Sequence, residues 1–299
     1  MELFVTLLVA GITLGLLYAL FAVGMGLVLR ASGDLNLAHG DSLMLATYVG
    51  VGTLAAPAGA APGWLGVLVT VGVGALVGAV SYLLVYAPVA ARVTPGRAAL
   101  GFLPSLGVAL LVRNAAILID PQGSRPVDPV FHGSAVPLLG GAHVPGTTWW
   151  LVPTAIGVPL LVSMLVRHTG WGHRVRAVSD DPALARLNGI PVRRTLATTY
   201  ALAGVVGSLA GVLFASFFGQ LFVGLGWQAT LAGFVAVVLG GVAKMRGALL
   251  GGLALGVLGS LTAGYISTTY KDVVTFGLLV LVLVAAPQGI QGVRRFRTV

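Results

Sequence analysis

Cysteine is absent from this 299-residue chain. That excludes disulfides, thiolate metal ligands and cysteine nucleophiles. Charge is scarce as well, at 8% Asp, Glu, Lys and Arg. Soluble globular chains carry about a quarter. The eight acids are scattered, with no paired carboxylates on one helix face and none deep in an apolar run. No nucleophile elbow (GxSxG), zincin helix (HExxH) or Walker A loop occurs. The chain therefore carries no catalytic constellation. Any ATP-driven step needs a separate ATPase.

What remains is apolar. Hydrophobic residues make up 57% of the chain and the mean hydropathy is +1.00. Lipid is the solvent this composition suits, as one integral-membrane domain over residues 1–299. A spanning helix needs about 20 mostly apolar residues. Nine runs qualify: Phe4–Leu29, Leu35–Ala56, Trp64–Ala87, Leu100–Ile119, Trp149–Val166, Leu196–Phe218, Trp227–Ala243, Ala248–Ile266 and Val273–Ala286. The expected fold is an all-α polytopic bundle of about nine spans, with eight to ten as the range. The first run follows Met1-Glu2 without a positive segment, so it reads as a retained span rather than a signal peptide.

The formal net charge is +9. The basic residues sit in short loops between apolar runs, which points to positive loops kept in the cytoplasm rather than to nucleic acid. An outside N-terminus with nine spans places 14 of the Lys and Arg residues inside and three outside (Arg113, Arg125 and Lys271). The C-terminus is then cytoplasmic. The 120–148 loop falls outside. Its His132 and His143 lack metal-ligand spacing. The chain has 44 glycines, and GxxxG pairs occur at 11/15, 59/63, 74/78, 207/211, 247/251 and 252/256. Their number is what chance placement gives and marks no dimer motif by itself.

Three stretches depart from apolar monotony. The loop 167–194 holds six of the 17 Lys and Arg residues. Inside it Asp181-Pro182 is a helix start and Gly189 a stop. Ala183, Leu184, Leu187 and Ile190 give the short helix a narrow apolar strip, with Arg186 and Asn188 interleaved. So short a helix needs a surface. Lipid headgroups, or a soluble partner, would each serve. The second stretch, Gly33–Asp41, puts Asn36 and His39 at the start of the second run, between glycines that permit a broken helix. These polar groups either cap and pack, or line a path. Tyr18 on the first run is a plausible neighbour. The third stretch, Leu239–Gly252, is a glycine-rich hairpin whose cations Lys244 and Arg246 hold it inside.

GDLNLAHG at 33–40, RAVSDDPALARLNGI at 176–190, VVLGG and GALLGG within 237–252, and Pro287-Gln288-Gly289 resemble the permease subunits of ABC importers for branched-chain amino acids. They occur in that family's order across nearly the whole chain. Arg246 stands where such permeases usually have proline, and no lysine precedes Ala232-Gly233-Phe234. The resemblance implies an ABC-importer permease fold with a discontinuous second span. It implies a bacterial plasma-membrane (inner-membrane) protein that moves leucine, isoleucine, valine or a similar small zwitterion by alternating access. It also implies partners: two cytoplasmic ATPases using ATP-Mg, a second permease, same or homologous, and an external substrate-binding protein. No cofactor or metal is implied for this chain. Asp181, Pro182, Leu184, Arg186, Leu187 and Gly189 would form the coupling helix seated on an ATPase. Tyr18, Asn36 and His39 would line the path. Related permeases carry urea or short amides. An ion-coupled secondary transporter is the alternative from another class.

Overall fold

A computed structural model describes residues 2–33, 35–52, 63–92, 103–119, 121, 123–127, 136–137, 143–144, 146–240 and 245–285. Asp34, Arg97, His132, Lys244, the closing Pro287-Gln288-Gly289 and the terminal arginines lie outside the described residues. Helices dominate. In order they are α1 (Glu2–Ser32), α2 (His39–Thr47), α3 (Gly63–Ser81), α4 (Ala87–Arg92), α5 (Leu103–Ile119), α6 (Thr148–His168), α7 (Gly170–Asp180), α8 (Pro182–Leu187), α9 (Val192–Phe218), α10 (Leu225–Gly240), α11 (Met245–Tyr265) and α12 (Lys271–Ala285). A π-helical turn, Tyr48–Gly52, extends α2, and another, Tyr82–Tyr86, joins α3 to α4.

Five helical stretches among the described residues are long and apolar enough to cross a membrane: Glu2–Ser32, Trp64–Val89, Thr148–His168, Val192–Phe218 and Gly247–Tyr265. Leu103–Leu118 and Leu225–Gly240 are shorter apolar helices. α1 and α9 form the centre, with 50% and 56% of their apolar windows buried, against 17% and 22% for the stretches of α3 and α6. Leu17, Leu20 and Phe21 of α1 and Phe214 and Ala215 of α9 anchor the core. Pro153 and Pro159 sit inside α6. Such interruptions are tolerated in membrane helices because neighbouring groups re-satisfy the freed carbonyls.

Among the described residues the GxxxG pairs, uninformative by number, do their work within the chain. A Cβ at Gly15 would stand 2.8 Å from Leu253 Cα, and one at Gly256 would run into the Gly15 backbone, so α1 and α11 meet through the pairs 11/15 and 252/256. Gly74 and Gly78 press on Gly204, Ser208 and Tyr200, bringing α3 onto α9. Gly240 and Gly247 touch backbone to backbone at the α10–α11 hairpin. Close approach lets dispersion hold helices together where hydrophobicity supplies no drive.

Short strands qualify the all-α expectation. β1 (Ser124–Pro126) pairs antiparallel with β4 (Gln220–Phe222), Arg125 opposite Leu221. β2 (Val136–Pro137) pairs with β3 (His143–Val144). The Pro- and Gly-containing connection between α5 and α6 is thus partly folded, and its strand β1 is tied to the turn after α9.

Candidate functional site

α1 ends at Ser32, and Gly33 follows with φ +77°, a left-handed stop. The chain does not start its next helix at that depth. His39 lies against Gly24: a Cβ there would be 2.8 Å from His39 Nε2. Gly24 precedes the end of α1 by eight residues, so the non-helical segment climbs back about 12 Å along α1 before α2 begins. The start of α2 is therefore deep in the bundle.

Backbone groups freed there find one local and one distant partner. Ala38 occupies the N-cap position and offers no side-chain cap. Asn36 Oδ1 accepts from the Ala38 amide at 3.0 Å and from the Tyr86 hydroxyl at 2.8 Å. The Gly40 amide donates to Thr230 Oγ1, 3.1 Å away, at the start of α10. A Cβ at Gly40 would collide with the Gly226 carbonyl and with that hydroxyl. Asn36 and His39 are both buried. The His39 ring tilts on Phe21 with centroids 5.0 Å apart, pressed between Gly24 and Gly207. Its Nε2 is buried and unpartnered among the described residues.

Next in the same turn is Asp41, with 0% side-chain exposure. Arg113 of α5 grips it as a fork: Nε donates to Oδ1 and Nη2 to Oδ2, both at 3.1 Å. The Trp227 ring lies under the guanidinium, 5.5 Å from centroid to Cζ. Two expectations fail here. An acidic residue does lie deep in the bundle, and Arg113 is a helix residue paired inward rather than an outer-loop charge. The cause is the climb between Gly33 and α2, described over residues 35–38, which lifts Asp41 from the expected membrane edge to the level of Arg113. Tyr18 is half-buried on α1 and packs on Phe214, with centroids 5.7 Å apart. Asn36 instead has Tyr86. Sequence reading missed Tyr86, Arg113, Trp227 and Thr230; a lone arginine inside an apolar run was the signal for one of them.

The loop after α6 is built differently. Thr169 caps α7, its hydroxyl accepting from the Gly172 amide at 3.1 Å. Val175 and Val178 turn inward, so the loop contains an unforeseen amphipathic helix ahead of the foreseen one. Ser179 donates to the Arg30 carbonyl at the end of α1. α8 follows as expected. Asp181 Oδ1 accepts from the amides of Ala183 at 2.7 Å and Leu184 at 3.0 Å, with Pro182 in the first turn. Gly189 closes it at φ +75°, and the Ile190 amide returns to the Ala185 carbonyl at 3.0 Å. Of the expected apolar strip, Ala183, Leu184 and Leu187 are exposed and only Ile190 turns inward, joined by Ala185, which was not part of it. Ala185 and Ile190 pack inward with Val178, Val192 and Leu196. Leu184 and Leu187 face outward, 57% and 85% exposed. Arg186 is exposed beside them. The tie to α7 and α9 buries the small Ala185 instead and leaves both leucines outside.

Among the described residues no group of three His, Cys, Asp or Glu could hold a metal ion. The molecule thus offers a buried polar interior site and an exposed two-leucine helix, linked through α1.

The family profile described as branched-chain amino acid transport system / permease component matches residues 7–283. The high-affinity branched-chain amino acid transport system permease protein LivH of Escherichia coli K12 is 34% identical over 94% of this chain and 93% of its own length. The corresponding BraD protein of Pseudomonas aeruginosa is 30% identical, covering 95% of this chain and 94% of its own. A probable LivH permease protein of Methanocaldococcus jannaschii is 28% identical over 93% and 89%. No solved structure matches the chain.

Proposed function

The chain belongs to the branched-chain amino acid transport system permease family, and on that premise we propose that it is the membrane permease subunit of an ABC importer for leucine, isoleucine and valine. The near full-length likeness to relatives named for that transport carries the reading. It is a multi-pass membrane protein. In the proposal it crosses the bacterial inner membrane nine times, with the N-terminus outside and the C-terminus in the cytoplasm. α2 with its π turn, α5, α10 and α12 complete the spans beyond the five longest stretches. The bias of Lys and Arg toward one set of loops supports that orientation.

α8 is the coupling helix. Asp181 and Pro182 start it, Gly189 stops it, and Leu184 and Leu187 present bare apolar area, with Arg186 beside them, to the groove of a cytoplasmic ATPase. Two such ATPases use ATP-Mg, a second permease completes the path, and an external binding protein delivers substrate. The ATPases drive alternating access only by docking better to one permease state than to the other. α8 can transmit that preference because Ala185 and Ile190 fix it to α9 and Ser179 ties the loop to α1. Asn36 and His39, with Tyr18 further along α1, line the path at the break before α2.

Ion-coupled transport would use a buried carboxylate, and Asp41 is one. Its charge is already matched by Arg113 at two hydrogen bonds. That arrangement suits a fixed pair better than a travelling proton. The test is reconstitution of the chain with its ATPases, partner permease and binding protein in proteoliposomes. ATP-dependent uptake of leucine, isoleucine and valine is the expected result. Uptake of urea or acetamide instead, or uptake driven by a proton gradient without ATP, would overturn the reading.

A further inference from the structure

The Asp41–Arg113 pair is lopsided. Asp41 is wholly covered, while the Arg113 side chain is 31% exposed. The fork to Asp41 uses Nε and Nη2, leaving Nη1 outside the pair. Trp227 lies against the guanidinium and is itself 39% exposed. On α5, Leu110 and Ile117 stand at i−3 and i+4 from Arg113, on its own helix face, 59% and 43% exposed. The uncovered side of this site is therefore a guanidinium edge, an indole ring and two branched aliphatic side chains.

Depth decides what that side can face. Asp41 follows His39, which sits level with Gly24 and about 12 Å above the end of α1. Arg113 is ten residues into α5, about 15 Å along it. A partly uncovered guanidinium at such depth is costly against lipid tails and belongs beside a water-filled path or protein.

Resting on the reading of the chain as an amino-acid permease, we propose that the outer edge of Arg113 receives the α-carboxylate of the crossing amino acid, with Asp41 as the positioning residue that holds the guanidinium in place. Leu110 and Ile117 flank the branched side chain of the substrate. The guanidinium fork recognises one carboxylate as it does another, bidentately. The edge formed by Nη1 and the second Nη2 hydrogen lies outside the pair, so Asp41 keeps both its bonds and no covered charge is stranded. Binding stays shallow, as a step on a path requires, because Asp41 already neutralises the guanidinium, and a solute without a carboxylate cannot form the second fork.

The test uses the absence of cysteine. Leu110→Cys is introduced alone, and the complete importer is reconstituted with its ATPases, partner permease and binding protein. Alkylation of this chain is followed by mass, with leucine or leucinamide added. Leucine should slow alkylation at least threefold, and leucinamide, lacking the carboxylate, should not. Adding Asp41→Asn removes the charge that neutralises the guanidinium, so the half-protecting leucine concentration should fall several-fold; a pair that only braces α2 against α5 predicts no shift. In the double variant Asp41→Asn/Arg113→Gln, where no charge is left unpaired, leucine protection should vanish while the importer is still recovered. Vesicles that import leucine yet show no protection, or equal protection by leucinamide, would overturn this assignment. Vesicles of the unsubstituted chain that import no branched-chain amino acid would overturn the permease reading itself.

Discussion

Two helix starts in this protein solve the same problem in opposite ways. α8 begins on Asp181, whose carboxylate caps amides two and three residues ahead. α2 begins on Ala38, which has nothing to offer, and its Gly40 amide is satisfied by Thr230, 190 residues away. A helix exposed at the surface can frame itself locally, because water takes whatever its caps leave over. A helix that begins inside the bundle has no water to fall back on, so what Asn36 leaves over locally the fold itself must satisfy. The consequence is mechanical. α8 can be disturbed with little effect on the rest, while the start of α2 is locked into four other helices.

The largest effect expected from that contrast is at Gly40. A side chain there meets the Gly226 carbonyl and the Thr230 hydroxyl. Gly40→Val should leave no monodisperse permease in size-exclusion chromatography after detergent extraction. Recovery at wild-type yield would mean that α2 is not pinned to α10. Next is Arg113→Leu, which strands the wholly covered Asp41 carboxylate. Removing one partner of a buried pair costs about 3–5 kcal/mol, so thermal unfolding in detergent should move down clearly. An unchanged midpoint would show the pair to be solvated.

The exposed helix should behave in the reverse manner. Leu187 is 85% exposed, so Leu187→Asp should shift stability by no more than about 0.5 kcal/mol, the usual range for surface changes. Co-purification of the ATPase and substrate-stimulated ATP turnover should nonetheless fall together, since the docking groove would meet a charge. The smallest effect belongs to Asp181→Ala, which removes both cap bonds and costs about 1 kcal/mol. Faster hydrogen exchange confined to the first amides of α8 would report it. Exchange quickening across α9 as well would show that the loop is less separable than the comparison holds.

The same contrast explains which parts of the structure were legible in the sequence. The Asp181-Pro182 start, the Gly189 stop and the five long apolar stretches are written in neighbouring residues, and each stands where local rules put it. The break around Gly33 was readable too, because glycine and a cluster of polar residues interrupt an apolar run. How far the chain climbs after that break was not, since no local rule sets the depth of a segment without helix. That one unknown hid the Asp41–Arg113 pair and the roles of Tyr86, Trp227 and Thr230. The glycine pairs were visible but mute: spacing says that a helix can be approached closely, and only the tertiary fold says by which neighbour. The amphipathic α7 was missed because its inward residues, Gly172, Val175 and Val178, are too small and too few to stand out in a basic loop.

The central claim is that the outward leucines of α8 meet the ATPase while Ala185 and Ile190 hold the helix to its own subunit. A single cysteine at position 187, in a chain that has no other, tests it most directly. Its alkylation rate is compared in the assembled importer and in permease stripped of ATPase. The account predicts fast reaction in the stripped permease and at least tenfold protection in the assembly. Equal rates in both would show that the exposed face of α8 touches no partner, and the coupling assignment would fall.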